Sequence, residues 1–190
     1  MKATPTESAA NDHGTGYGVI VEPGTLRLER VLPGPIERVW SYLAESDKRG
    51  QWFAYGDLEP RVGGRIKLTF RNSETSGDEP VPEKYRKYEG MSFDAKITRF
   101  EPPRLLAYTW GADPETDSEV IFELTPQGKD VRFVLTHRRL PSRKELLSVA
   151  GGWHSHADAL VEILNGRAPR NFWSKHLKIS AEYERRVPHE

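Results

Sequence analysis

Between Ile66 and His137 the chain returns repeatedly to one pattern, an apolar residue at every second position. Ile66, Leu68 and Phe70 alternate with Arg65, Lys67, Thr69 and Arg71. Met91, Phe93, Ala95 and Ile97 alternate with Ser92, Asp94, Lys96 and Thr98. Leu105 to Trp110, Glu119 to Leu124 and Val131 to His137 continue the series. A period of two gives each strand one apolar and one charged face, which suits an antiparallel sheet covered on a single side. That apolar face must be buried against something, and the chain offers one long partner. Ser142 and Glu145 have capping-box spacing, and behind them Leu146, Ala150, Trp153, Ala157, Leu160 and Leu164 recur every three or four residues. Leu147, His154 and Val161 widen the stripe, and Asn165-Gly166 followed by Pro169 ends it. Gly151-Gly152 costs this helix about 1 kcal/mol per residue relative to Ala, so the principal helix could begin only at Gly152.

The flanking segments are shorter. Val19, Ile20 and Val21, the turn Pro23-Gly24, then Leu26 and Leu28 predict two short strands or one broken strand. Pro33-Gly34-Pro35 stops the strand, and Ile36, Val39, Trp40 and Leu43 predict a helix of about three turns. A second short helix starts near Ser46 or Asp47 and ends before Trp52-Phe53. Phe172, Trp173, His176, Ile179 and Tyr183 predict a terminal helix over residues 171–186. From Asn72 to Lys87 only Val81 and Tyr85 could bury much surface, and Pro80 and Pro82 disfavour pairing, which predicts a long mobile loop. Residues 1–16 read as a disordered tail, leaving 17–190 as one domain. The expected class is α+β, a curved antiparallel sheet of about six or seven strands around the helix 142–164, with two short helices after the first strand.

Composition narrows the function. Twenty-eight basic and 28 acidic residues leave no net field to attract nucleic acid. The absence of Cys excludes disulfides, thiolate metal sites and cysteine nucleophiles. No apolar run approaches the roughly 18 residues of a membrane helix, and Met1-Lys2-Ala3-Thr4-Pro5-Thr6-Glu7-Ser8 lacks the apolar region of a secretory signal. A cytoplasmic protein, monomeric or homodimeric and without a cofactor, is the expectation.

Scattered residues in a fixed order carry a resemblance over positions 33 to 164. They are Pro35-Ile36-Glu37-Arg38-Val39-Trp40, Trp52-Phe53, Val62-Gly63-Gly64, Glu89-Gly90, Pro103-Arg104-Leu105, Thr109-Trp110, Leu135-Thr136-His137 and Gly152-Trp153 with Leu160. The chain resembles the START-like (SRPBCC) helix-grip superfamily, which includes the birch-pollen allergen. Within it, the chain looks most like the family named after the activator of the heat-shock-protein-90 ATPase. The superfamily resemblance implies an apolar ligand between sheet and C-terminal helix, such as a lipid, a sterol or an aromatic polyketide. The family name implies instead a chaperone partner. The eukaryotic activators carry a separate N-terminal domain, whereas about 16 residues precede Tyr17 here. A cyclase- or hydrolase-like enzyme is the third reading, and it needs an acid–base pair within the cavity.

The ligand reading places Phe70, Phe93, Ala95, Tyr108, Phe122, Phe133, Trp153, Ala157 and Leu160 on the cavity wall, with His137 and His154 as polar contacts. The strand phase of Leu105 to Trp110, and hence Tyr108, is ambiguous. His137 shares the phase of Val131, Phe133 and Leu135, so it is either a core histidine bonded to backbone or a polar anchor titrating near neutral pH. Trp40, Trp110 and Trp153 read first as core. Gly14-Thr15-Gly16-Tyr17-Gly18 precedes a strand and so does not fit a dinucleotide loop. In His154-Ser155-His156 successive helical side chains diverge by about 100°, so Ser155 meets neither neighbour, and His154 with Asp158 gives too few ligands for a metal. Asp113, Glu115, Asp117, Glu119 and Glu123 are followed by Lys129, Arg132, Arg138, Arg139, Arg143 and Lys144, which suggests cross-strand ion pairs or an electrostatic docking patch.

Overall fold

In the computed structural model, residues 16–111 and 118–188 are described. The expected tail, apart from Gly16, and the acidic residues Asp113, Glu115 and Asp117 lie outside the described residues. Strands β1 (Val19–Glu22) and β2 (Thr25–Pro33) precede helices α1 (Ile36–Ala44) and α2 (Ser46–Gly50). Then come β3 (Arg65–Thr69), the one-turn helix α3 (Asn72–Thr75), a 3-10 turn over Glu83–Tyr88, β4 (Ser92–Glu101), β5 (Leu105–Thr109), β6 (Glu119–Gln127) and β7 (Asp130–Arg138). Helices α4 (Arg143–Leu164) and α5 (Phe172–Arg186) close the chain. The seven strands form one antiparallel sheet in the order β1-β2-β7-β6-β5-β4-β3, packed against α4 as in a helix grip.

The strand alternation fixes which face is buried. Ile66, Leu68, Ala95, Ile97, Leu106, Tyr108, Phe122, Phe133 and Leu135 all enter the main core beneath α4. Tyr108 pairs with Val120 on one side and Ile97 on the other, which resolves its phase as inward. On the opposite face Leu105, Ala107 and Ile121 form a small separate apolar cluster. Arg30 is the exception in the inward phase, because its register partner is Phe133. Its guanidinium reaches α4 and donates to Asp158 Oδ1 at 3.0 and 2.8 Å, tying helix to sheet.

Helix α4 starts where the capping box predicts, with the Ser142 hydroxyl accepting from the Glu145 N–H at 3.2 Å. It runs unbroken through Gly151-Gly152, which corrects the expectation of a break. Gly151 serves close packing instead: a Cβ there would lie 2.6 Å from the Ser180 hydroxyl of α5.

The segment expected as a mobile loop contains α3 and the 3-10 turn. Its anchors are polar and aromatic rather than aliphatic. The Tyr85 ring stacks on Trp173 at 4.9 Å, and Asp78 and Glu79 accept hydrogen bonds from the Asn171 and Ser174 backbone N–H groups at 3.0 Å each. The basic residues after Gly128 find acids on several elements. Arg138 and Arg139 meet Glu119 across the β6–β7 pair, Arg132 takes Glu29 of β2 in a two-pronged contact, and Arg143 takes Glu184 of α5. No helix among the described residues is long and apolar enough to cross a membrane.

Candidate functional site

The predicted wall residues come together as a layer of interleaved rings between the sheet and α4. Trp153 is the hub, with ring centroids 5.6 Å from Phe122, 5.2 Å from Trp110 and 4.7 Å from Phe53. Phe53 continues to Phe70 at 5.4 Å, Phe70 to Phe93 at 6.0 Å, and Phe93 returns to Trp110 at 5.6 Å. Deeper in the sheet Phe122 meets Tyr108 at 5.8 Å and Phe133 at 6.0 Å. Ala95, Ala157 and Leu160 are buried in the same core. Most of these rings are fully enclosed, whereas Phe93 and Trp110 are half-buried and bring the aromatic surface to solvent. Their edge-on and tilted contacts are those that ring quadrupoles favour. Sequence reasoning missed two members. Phe53 follows a helix and carries no strand phase, and Trp110, read first as core, follows the strand of ambiguous phase and reaches the rim.

One polar chain backs this layer. His137 is 0% exposed, and its Nδ1 accepts from the Trp153 indole N–H at 2.9 Å. An indole nitrogen can only donate, so the imidazole proton sits on Nε2 and is donated to the Ser118 hydroxyl at 2.7 Å. Burial pushes the His137 pKa down to about 3. The partners are therefore side chains rather than backbone, and the ring stays neutral at physiological pH instead of titrating there.

His154 does not join this chain. It lies on the side of α4 that faces α5, with Nδ1 3.1 Å from the Tyr183 hydroxyl and Nε2 3.4 Å from Asp158 Oδ2. Tyr183 in turn accepts from the Gly18 N–H at 2.7 Å, and burial pushes its phenol up to about 12. Burial alone would raise the Asp158 carboxyl, but the His154 hydrogen bond and the Arg30 charge hold it below the usual carboxylate range. The pairing of Arg30 with this carboxylate makes the cluster a clamp between sheet, α4 and α5. His137 and His154 thus occupy separate surroundings and do not form an acid–base pair.

Ser155 does meet a histidine, one supplied by α5. His176 Nδ1 lies 2.9 Å from its hydroxyl, while that hydroxyl donates to the Gly151 carbonyl at 2.8 Å. The serine proton is thereby committed to backbone, so His176 acts as donor at Nδ1 and accepts from Tyr85 at Nε2, 2.9 Å away. This arrangement pins two helices and does not activate a nucleophile. Among the described residues no three His, Asp or Glu side chains converge to hold a metal ion. A crease of about 20 Å³ between α4 and α5 borders Ser155, Asp158 and Lys175, away from the aromatic layer.

The order of strands, the grip on α4 and the aromatic layer can be set beside known proteins. Residues 33–165 match the family described as Activator of Hsp90 ATPase homolog 1-like protein. The chain belongs to that family. It thereby falls within the START-like superfamily. The matched span runs from the end of β2 to the end of α4, so β1, most of β2 and α5 lie outside it. No curated protein matches the chain. A Bordetella parapertussis protein with a solution structure is 42% identical, with 92% of each chain covered and a TM-score of 0.78. CalU16 from Micromonospora echinospora is 22% identical over 85% of this chain and 86% of its own, TM-score 0.63. The Aha1 dimer from Colwellia psychrerythraea is 18% identical over 74% of this chain and 95% of its own, TM-score 0.56. These last two share the fold.

Proposed function

We propose that this family member binds an apolar, flat small molecule against the aromatic layer, reached past Phe93 and Trp110. The supporting observation is that a buried layer of rings comes to the surface at two half-buried aromatics. Its polar backing, Trp153–His137–Ser118, is internally hydrogen-bonded and neutral. A site of this kind rewards ring stacking and offers little to a charged ligand. The large exposed apolar residues Ile20, Val21, Val31, Val62, Tyr88, Met91 and Leu177 are spread over several elements, which gives less support to a chaperone surface.

The test is titration with the neutral dye Nile red and a panel of lipids and polycyclic aromatics, followed by tryptophan emission, since Trp110 and Trp153 both border the site. Binding near 1:1 is expected. Replacing Phe93 by Arg sets a charge at the half-buried rim and should weaken binding about tenfold or more while moving Tm little. Unchanged affinity in F93R would place the ligand elsewhere. No binding by the wild type across the panel would sink the reading and favour a chaperone partner.

A further inference from the structure

We infer that residues 71–90 form a strap that opens as a unit and controls access to the aromatic layer, held shut by two carboxylates seated on the first turn of α5. Its access role rests on the ligand-binding reading above, whereas its latch does not. The neck of the strap continues the β3–β4 hairpin: the Phe70 N–H donates to the Met91 carbonyl at 2.9 Å, and the Gly90 N–H donates to the Phe70 carbonyl at 2.7 Å. Gly90 has φ +75°, a conformation that suits glycine at a hinge. Phe70 of this neck and Phe93, two residues beyond Met91, are members of the aromatic layer. Motion of the strap therefore acts at the rim of the proposed site.

The latch is electrostatic. Helix α5 begins with N–H groups that have no partner within the helix, and the strap supplies acceptors for two of them. Asp78 takes the Asn171 N–H at 3.0 and 3.2 Å, and Glu79 takes the Ser174 N–H at 3.0 Å together with the Ser174 hydroxyl. These Ser174 contacts hold the Glu79 carboxyl below its usual range. Apolar support is thin. Val81 and Tyr85 are half-buried, and the 3-10 turn buries no residue. Among the described residues, buried Asn72 Oδ1 and Thr75 Oγ1 of the strap and Trp173 Nε1 of its seat have no hydrogen-bond partner. A segment so weakly packed opens at lower free energy than the sheet.

The cysteine-free chain permits a direct measurement. Thr75 is buried and its hydroxyl unpartnered, so Thr75→Cys is well tolerated and reacts with a thiol reagent such as 5,5′-dithiobis(2-nitrobenzoate) when the strap opens. Adding Asp78→Asn and Glu79→Gln should speed labelling about tenfold or more, while Ala107→Cys in the sheet changes less than about twofold. In the same latch variant, without an added cysteine, Nile red should associate and dissociate faster by similar factors, with affinity little changed. Unchanged labelling of Thr75→Cys would overturn the latch. Equal acceleration at Thr75→Cys and Ala107→Cys would overturn local opening in favour of global destabilisation. Faster labelling with unchanged dye kinetics would overturn the access role. If the wild type binds no dye, the ligand reading and the access role fall together, and the labelling rates decide the strap alone.

Discussion

Acidification from pH 7 to pH 4.5 is expected to remove about 5 kcal/mol of stability through two buried histidines, and so to unfold much of the protein. Burial pushes His137 down to about 3 and His176 down to about 4. In the unfolded chain both titrate near 6.5. Between these values the unfolded state binds more protons than the folded one, so stability falls as pH falls. The loss starts near pH 6.5 and grows by about 1.4 kcal/mol per pH unit for each group until its folded pKa is reached. His156, whose Nδ1 hydrogen donates to the Trp52 carbonyl at 2.6 Å, is also driven down by burial, to about 4, and acts in the same direction. The hydrogen bonds explain why protonation is resisted. A second proton on His137 would have to occupy Nδ1, where the Trp153 N–H already points. Near-ultraviolet circular dichroism should show one cooperative transition with a midpoint between roughly pH 4 and 5. His176→Gln should move that midpoint to lower pH. Imidazole resonances of His137 titrating near pH 6.5 in the folded protein would contradict the account.

The sheet and its helical partner were legible because period-two alternation and a single long apolar stripe leave few alternatives. The inward positions of Phe122 and Phe133 followed from the same phase, whereas that of Tyr108 is decided by its pairing with Ile97 and Val120. Three features were hidden for separate physical reasons. Residues 72–88 lack aliphatic bulk, and their anchors are the Tyr85–Trp173 stack and carboxylates capping a helix about 90 residues away, which no local pattern reports. His154 lies on the apolar stripe, yet α5 packs on that side of α4, so its partners are Tyr183 and Asp158 rather than the sheet. Arg30 shares the inward phase of Leu28 and Leu32, and the long-range partner Asp158, with the Gly16 and Glu29 carbonyls, makes that position tolerable for a cation.

Family membership and site chemistry carry different weight. The match over residues 33–165 establishes the fold and the family, while the family description names an activity for which nothing in this aromatic layer is specific. The 42% identical Bordetella parapertussis protein covers 92% of the chain, a larger share than the family match over residues 33–165. Experiments on the strap and on the aromatic rim can therefore be run on both proteins, and agreement between them would separate a shared function from a local accident of packing.

Replacing Arg49 by Ala should destabilise the protein by about 3–5 kcal/mol, lowering Tm by roughly 10 °C or more. Arg49 lies in the short, charged helix α2, yet it is 1% exposed. Its guanidinium donates to the backbone carbonyls of Ala54 at 3.0 Å, Leu43 at 3.1 Å, Ala44 at 3.3 Å and also Gly56. Burial lowers its pKa, while Tyr108 and Asp57 oppose the shift. The fork geometry closes the end of α1 onto the 54–56 segment, and truncation leaves four carbonyls short of a donor in a site water reaches poorly. Arg49→Met separates packing from hydrogen bonding, because it keeps most of the stem volume and should still lose most of the stability. Arg49→Lys restores the charge and at most three of the donors, so it should recover only part. The loop held in this way carries Phe53 onto Trp153 at 4.7 Å, which links the loss to the site. Even at temperatures where R49K remains folded, its tryptophan emission should shift and Nile red should bind more weakly. A urea-unfolding free energy for R49M within about 1 kcal/mol of wild type would show that the carbonyls find water, and that this guanidinium is a passenger in the core.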